Sequence, residues 1–210
     1  MYKYFMSIYA NGLAQLIALD SACSKNKYNY KQSKYCLSTL LQNVYHDAVS
    51  GWLMLASLFY KTKQYSKALY IIKYSISKCT PEKLCHYSAV SDYQWIHLNS
   101  FQKTSFVKFG KLMLVDDIHV TSDSSVAPDE LPMVDSMFPA IAYAYFLEFL
   151  CQYHLNNPRQ CQDAIQGLKL VIEEKYLITA YKAESYALLE IALQLFGNNE
   201  SAQQTFLQPH

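Results

Sequence analysis

Cysteine and histidine are the side chains of this chain that most readily suggest chemistry. The segment Cys79-x5-Cys85-His86 could bind zinc with His46 or His97 as a further ligand. Structural zinc sites usually have paired ligands two to four residues apart on both sides, and here only one arm of ligands is present. We therefore expect these side chains to have packing roles and predict no metal ion and no cofactor.

A second cluster comprises Cys151, His154 and Cys161, of which the first two are three residues apart and share a helix face. Free cysteine is among the most often buried residue types, so core packing is the preferred interpretation. The sequence has no G-x-S-x-G turn and no glycine-rich phosphate loop. A Cys/His pair assembled from distant segments stays open, but we predict that the chain is not an enzyme.

Charge is distributed unevenly along the chain. Residues 1–105 have twelve basic and four acidic side chains, whereas residues 106–210 have six and thirteen, and the net charge is +1. Nucleic-acid-binding proteins usually have a basic balance overall, so we expect no nucleic-acid partner. One segment has side chains that could bind phosphates and stack bases, but we interpret it as a solvated helix connection. These side chains are Lys25, Lys27, Lys31, Lys34, Tyr28, Tyr30 and Tyr35.

Composition favours helices. Of the 210 residues, 51% are apolar and 17% charged, and five glycines with six prolines are too few for the many turns of a sandwich or barrel. Apolar residues recur at steps of three and four, and short polar breaks imply antiparallel neighbours. We predict an all-α fold with one irregular insertion at 115–139. The predicted helices are an N-terminal one and 33–45, 48–60, 66–78, 91–115, 139–155, 160–174, 182–196 and 200–208.

The cellular compartment follows from two observations. The N-terminal apolar residues have helical spacing, interrupted by Asn11, Gly12 and Gln15, which is unlike a signal peptide. The apolar stretch 137–155 contains Glu148, so we expect a core helix and no membrane span. We predict a cytoplasmic protein with six reduced cysteines.

The segment 48–81 resembles a tetratricopeptide repeat. The pattern is Trp52-x2-Leu55-Ala56-x2-Phe59, then Ala68-x3-Ile72, Ser75 and Pro81. Large side chains share one side of the first helix, and the small Ala56 and Ala68 allow the two helices to approach closely. This resemblance predicts an antiparallel helix-pair solenoid.

Two weaker matches follow. Ala164-x3-Leu168 aligns with Ala68-x3-Ile72, although Glu148 and Gln152 fall on apolar and small positions of that repeat. The last match contains Tyr186-x2-Leu189-Glu190-x2-Leu193 and stops early, which predicts a piece or short paralogue of a longer protein. The predicted units are 1–47 (N-terminal helix pair), 48–81 (repeat), 82–138 (long helix and insertion), 139–175 (degenerate pair) and 180–210 (truncated repeat).

Three stretches carry a wider resemblance: residues 46–83, APDELPM, and YHLNNPRQCQDAI with LKLVIEE. They resemble the C-terminal helical-repeat region of large animal proteins that have an upstream nucleotidyltransferase domain of the cyclic GMP-AMP synthase-like type. The resemblance implies a regulatory arm and not the enzyme itself. The upstream domain requires Gly-Ser followed by paired carboxylates, and this chain has no Gly-Ser, Asp-x-Asp or Glu-x-Glu.

Together these patterns predict a non-enzymatic protein-interaction or scaffold module that binds a protein, a peptide or another domain of a parent protein. By resemblance, the binding groove is lined by the first helix of each pair, with Ser50, Leu53, Ser57, Tyr60 and Lys61 facing the partner. Two alternatives are a module that assembles head to tail through its oppositely charged halves and the regulatory arm described above.

Overall fold

The computed structural model describes residues 12–17, 27–44, 49–79, 115, 117–173 and 179–206. These residues are mostly helical, which confirms the all-α class, and a single two-stranded sheet accompanies the helices within this part of the chain. The described elements are a helical turn at 12–15, α1 (Lys27–Asn43), α2 (Ser50–Lys61), α3 (Tyr65–Lys78), β1 (Ile118–Val120), β2 (Ser136–Phe138), α4 (Ala140–His154), α5 (Pro158–Glu173) and α6 (Thr179–Phe206).

Helices α2 and α3, and likewise α4 and α5, form hairpins that close through the same turn. Lys63 and Asn156 have φ values of 59° and 54°, in the left-handed region. The amide of the following residue donates to the carbonyl five residues back, from Gln64 to Phe59 and from Asn157 to Gln152, at 2.8 and 3.0 Å. This bonding satisfies terminal helix carbonyls, as in a Schellman motif.

The left-handed residues of the two turns are 93 residues apart. The predicted alignment of Ala164 with Ala68 requires a separation of 96 residues, so it is wrong. Cys161 is therefore the equivalent of Ala68. The Ala68 amide donates to the Gln64 carbonyl and the Cys161 amide to the Asn157 carbonyl, and in each hairpin the acceptor is the residue that follows the left-handed one. The packing agrees, because the ring of Trp52 meets Tyr74 at a centroid distance of 5.4 Å. The equivalent positions in the second hairpin, Tyr145 and Gly167, are also in contact.

Helix α4 is the centre of the described core. It packs against α2, α3, α5 and α6, and ten of its fifteen residues are buried, with Tyr143, Phe146 and Phe149 among the largest. Apolar residues occupy almost its whole circumference, as expected of a helix surrounded by others. No helix in the described ranges has the length and apolarity needed to cross a membrane.

The predicted insertion is ordered and non-helical over 117–139, as expected. Its strands pair antiparallel, with Ile118 opposite Phe138, and β1 contacts α2 while β2 contacts α6. The buried Gln15 side chain holds it from the N-terminal turn: Nε2 donates to the His119 carbonyl at 2.9 Å, and Oε1 accepts from the Thr121 amide at 3.0 Å. The insertion is therefore part of the core.

Two predicted boundaries are wrong. Helix α6 runs without interruption from 179 to 206, because the Gly197-Asn-Asn sequence continues the helix where a turn was predicted. Helix α1 begins at Lys27, before the predicted start at Ser33, so the predicted helix connection around Lys31 is helical. The predicted helix 91–115 lies outside the described residues apart from Val115.

Two helical glycines should respond oppositely to alanine. A Cβ on Gly167 would meet the Tyr145 ring at 2.4 Å, whereas a Cβ on Gly197 meets nothing within 4 Å. We expect Gly167→Ala to lower the free energy of unfolding by about 1 kcal/mol, because overpacking exceeds the gain in helix propensity. Gly197→Ala should raise it by about 0.5 to 1 kcal/mol. Urea denaturation measures both, and equal stabilisation would contradict the α4–α5 packing.

Candidate functional site

The residues predicted to line a partner groove face the interior instead. Leu53 and Ser57 have no exposed surface, Ser50 and Tyr60 are buried, and Lys61 is half-buried. Ser57 Oγ lies 2.9 Å from the Tyr143 hydroxyl on α4. The prediction of an open groove on this face is therefore corrected, because α4 and the insertion cover it.

Tyr60, Glu130 and His154 form a polar cluster where the insertion meets α2 and α4. The Tyr60 hydroxyl donates to Glu130 Oε1 at 2.7 Å and lies 2.9 Å from His154 Nε2. A phenol has one proton, so His154 Nε2 must be the donor in the second bond. Burial, and then the bond to Glu130, raises the pKa of Tyr60, which keeps it a neutral phenol.

Aromatic rings flank the histidine of this cluster, whose side chain keeps 35% of its surface exposed. The Tyr65 ring stacks on His154 with centroids 5.1 Å apart and an interplanar angle of 7°. Tyr60 and Tyr153 also contact the imidazole at 5.6 Å each. Next to the cluster, Lys61 forms an ion pair with Asp129. The hydrogen bond of Glu130 and the ion pair of Asp129 hold the insertion against α2.

The side chains of Cys151, His154 and Cys161 make separate contacts. Cys161 Sγ points to the Phe149 carbonyl at 4.0 Å, and His154 bonds to Tyr60. Burial raises the pKa of Cys151 to about 12 and that of Cys161 to about 11, so both are neutral thiols. No group of three potential ligands occurs among the described residues. Cys85, His86, His46 and His97 lie outside them.

A cavity of about 300 Å³ lies between α1 and the α2–α3 turn. Its floor is apolar and includes Leu37, Leu58 and Phe59, and its rim is polar: Ser33, Lys34, Thr62 and Gln64. We call it the lysine-rimmed pocket. The exposed Lys67 adds a second ammonium group, 5.6 Å from the centroid of the Phe59 ring.

The part of the chain that forms the lysine-rimmed pocket is rich in lysine. The sequence from Lys27 to Cys79 contains eight lysines and one acidic residue, Asp47, and Asp47 lies outside the described residues. Lys34 and Lys67 are both exposed. The pocket therefore offers an apolar floor and a positive rim, which suits an apolar side chain flanked by carboxylates.

Sequence reasoning missed this pocket although a signal was present. The interleaved lysines are visible in the sequence, but it does not show that Lys31 and Lys34 lie on one helix, and the apolar residues of α2 that complete the pocket are distant in sequence. Neighbouring residues on α2 divide between two sides: Ser57 and Tyr60 face α4 and the insertion, whereas Leu58 and Thr62 face the pocket.

Comparisons with known proteins identify no relative: no protein-family model, curated protein or solved structure matches this chain. The resemblance to tetratricopeptide and nucleotidyltransferase-associated repeats stays a prediction.

Removing the Tyr60 hydroxyl should destabilise the fold. In Tyr60→Phe, Glu130 and His154 lose their shared partner, and we expect the free energy of unfolding to fall by about 1 to 3 kcal/mol. Tyr65→Phe is the matched control, since it keeps the ring stacked on His154 and removes no hydrogen bond of the cluster. Chemical denaturation at neutral pH measures both, and equal effects would contradict the assigned bonding.

The described cysteines should differ in reactivity. Cys36, Cys151 and Cys161 are buried with raised pKa values, about 11 for Cys36, whereas Cys79 is half-buried. The thiolate is the nucleophile, and its fraction at pH 8 falls tenfold for each unit by which the pKa rises. Iodoacetamide with peptide mass spectrometry should find Cys79 modified first of these four. Urea-unfolded protein, the control, should show similar rates, and early labelling of native Cys151 would contradict the packing.

Proposed function

We propose that this chain is a non-enzymatic protein-interaction module made of tetratricopeptide-like helix pairs, which binds its partner through the lysine-rimmed pocket. The observation that carries this proposal is the pocket itself, with Phe59 and Leu37 in its floor and Lys34 at its rim. A volume of about 300 Å³ suits one or two side chains of a protein partner better than a large cofactor.

The two helix hairpins support the repeat architecture. Each hairpin has one left-handed residue in its turn, and the next amide donates to the carbonyl five residues back. The two turns are 93 residues apart. Helix α3 packs on α4, so the second helix of one pair lies against the first helix of the next, as neighbouring repeats do.

The positions of the reactive groups support a role without chemistry. The Cys151 and Cys161 thiols are buried and neutral, and Tyr60, Glu130 and His154 bond mainly to one another. A nucleophile requires an activating base and access to substrate. The cluster instead holds the insertion against α2, which keeps the α1-facing side of that helix in place.

A displayed library of random peptides, selected on the immobilised full chain, tests the proposal. Ser33→Trp places a bulky ring at the rim of the lysine-rimmed pocket, and Ser38→Trp, at an exposed position of the same helix outside the pocket, is the matched control. We expect enriched peptides to bind wild type and Ser38→Trp alike and to lose at least about tenfold in affinity for Ser33→Trp, since one filled pocket removes an anchor.

Either of two results would overturn the proposal. One is a selection that enriches no peptide above the bare support. The other is a set of peptides that binds Ser33→Trp as tightly as wild type, with both variants shown by circular dichroism to melt like the parent.

A further inference from the structure

The insertion presents an apolar tip to solvent. Met133 is 86% exposed and Val134 55%, whereas Val126 and Leu131 of the same insertion are buried. We call residues 132–134 the apolar tip. Asp135 follows it directly, and Asp129 and Glu130, which bond to Lys61 and Tyr60, precede it.

The apolar tip is held in one conformation. The Val134 amide donates to the Pro132 carbonyl at 2.8 Å, which closes a tight turn around Met133. At its base, Asp135 Oδ1 accepts the Ser122 amide at 2.7 Å, and this bond lowers the Asp135 pKa. A segment that is already ordered loses little conformational entropy on binding.

The apolar tip and the lysine-rimmed pocket are complementary. The tip offers one or two apolar side chains beside carboxylates, and the pocket offers an apolar floor beside Lys34 and Lys67. Both surfaces belong to the same chain, in its acidic and basic halves respectively. Charge complementarity of this kind favours encounter in one orientation.

The two surfaces lie on different sides of α2. Leu58 and Thr62, which line the pocket, point roughly opposite to Tyr60, which bonds to the insertion, at 3.6 residues per turn. The insertion carries the tip on the Tyr60 side. A tip that engages a pocket is therefore expected to belong to a different molecule.

We propose that the apolar tip of one copy inserts into the lysine-rimmed pocket of the next, so that the chain associates head to tail. Met133 occupies the pocket beside Phe59, and Asp135 faces the ammonium groups at the rim. Because the two contacting surfaces differ, a dimer keeps one free tip and one free pocket, and the contact propagates into open chains unless it closes into a ring. This inference rests on the proposed function, since it names a second copy as the partner of the pocket.

Sedimentation velocity and light scattering on the full chain test the inference. From about 1 to about 200 μM protein, a range suited to small interfaces, the average mass should rise with concentration. The association constant should fall roughly tenfold between about 0.05 and about 0.5 M NaCl, because salt screens exposed charges. Met133→Asp removes the tip, and Lys34→Glu with Lys67→Glu reverses the rim; each variant alone should stay monomeric.

Mixing the two variants is the decisive measurement. The Met133→Asp chain keeps a working pocket and the doubly substituted chain keeps a working tip, so an equimolar mixture should form dimers and nothing larger. The controls are Leu170→Asp, at an exposed apolar position of α5, and Lys31→Glu, at an exposed position of α1 outside the pocket. Both should associate as wild type does, and thermal melting monitored by circular dichroism should show every variant folded.

Three results would overturn the inference: a wild-type chain that is monomeric throughout the concentration range, a Met133→Asp variant that associates like wild type, or a variant mixture that forms no dimer. A monomeric chain that still selects peptides through its pocket refutes the second copy as partner and leaves the proposed function standing. A chain that neither associates nor selects peptides refutes both.

Discussion

The burial of α4 is the constraint on which the described structure depends. A helix whose ten buried residues lie around almost its whole circumference, Tyr143, Phe146 and Phe149 among them, cannot leave any broad face to water, so it must be enclosed by other elements. Helices α2, α3, α5 and α6 enclose it. The hydroxyl of Tyr143, deep in this core, is satisfied by Ser57 on α2, and this bond joins the two hairpins where an unpaired polar atom would be costly.

This enclosure changes which surface of α2 can meet a partner. In the repeat pattern the first helix of a pair lines a groove, but here the Leu53 and Ser57 side is used internally and the insertion covers its end at Tyr60. The side of α2 left accessible is the one towards α1, where Phe59 lies at the bottom of the lysine-rimmed pocket. The insertion thus moves the surface available for binding from one side of the helix to the other.

Much of the fold was predictable because it depends on local periodicity. The helices near 50–61, 65–78, 140–154 and 158–173 follow apolar spacing, and prolines marked the insertion as non-helical. The continuity of α6 through Gly197 was not predictable from local propensity, since packing of its other residues against α4 and α5 outweighs the weak tendency of Gly-Asn-Asn to break a helix. The burial of Ser57 was equally hidden, because its partner Tyr143 lies 86 residues further along the chain.

That long separation has a consequence for synthesis. Helices α2 and α3 leave the ribosome well before α4, whose first residue, Ala140, follows Lys78, the last residue of α3, by 62 residues. At typical elongation rates of 5–20 residues per second, the nascent first hairpin waits roughly three to twelve seconds with Leu53 and Met54 uncovered. Chaperones bind exposed apolar surface of this kind, so newly made chains should depend on chaperones until α4 is synthesised.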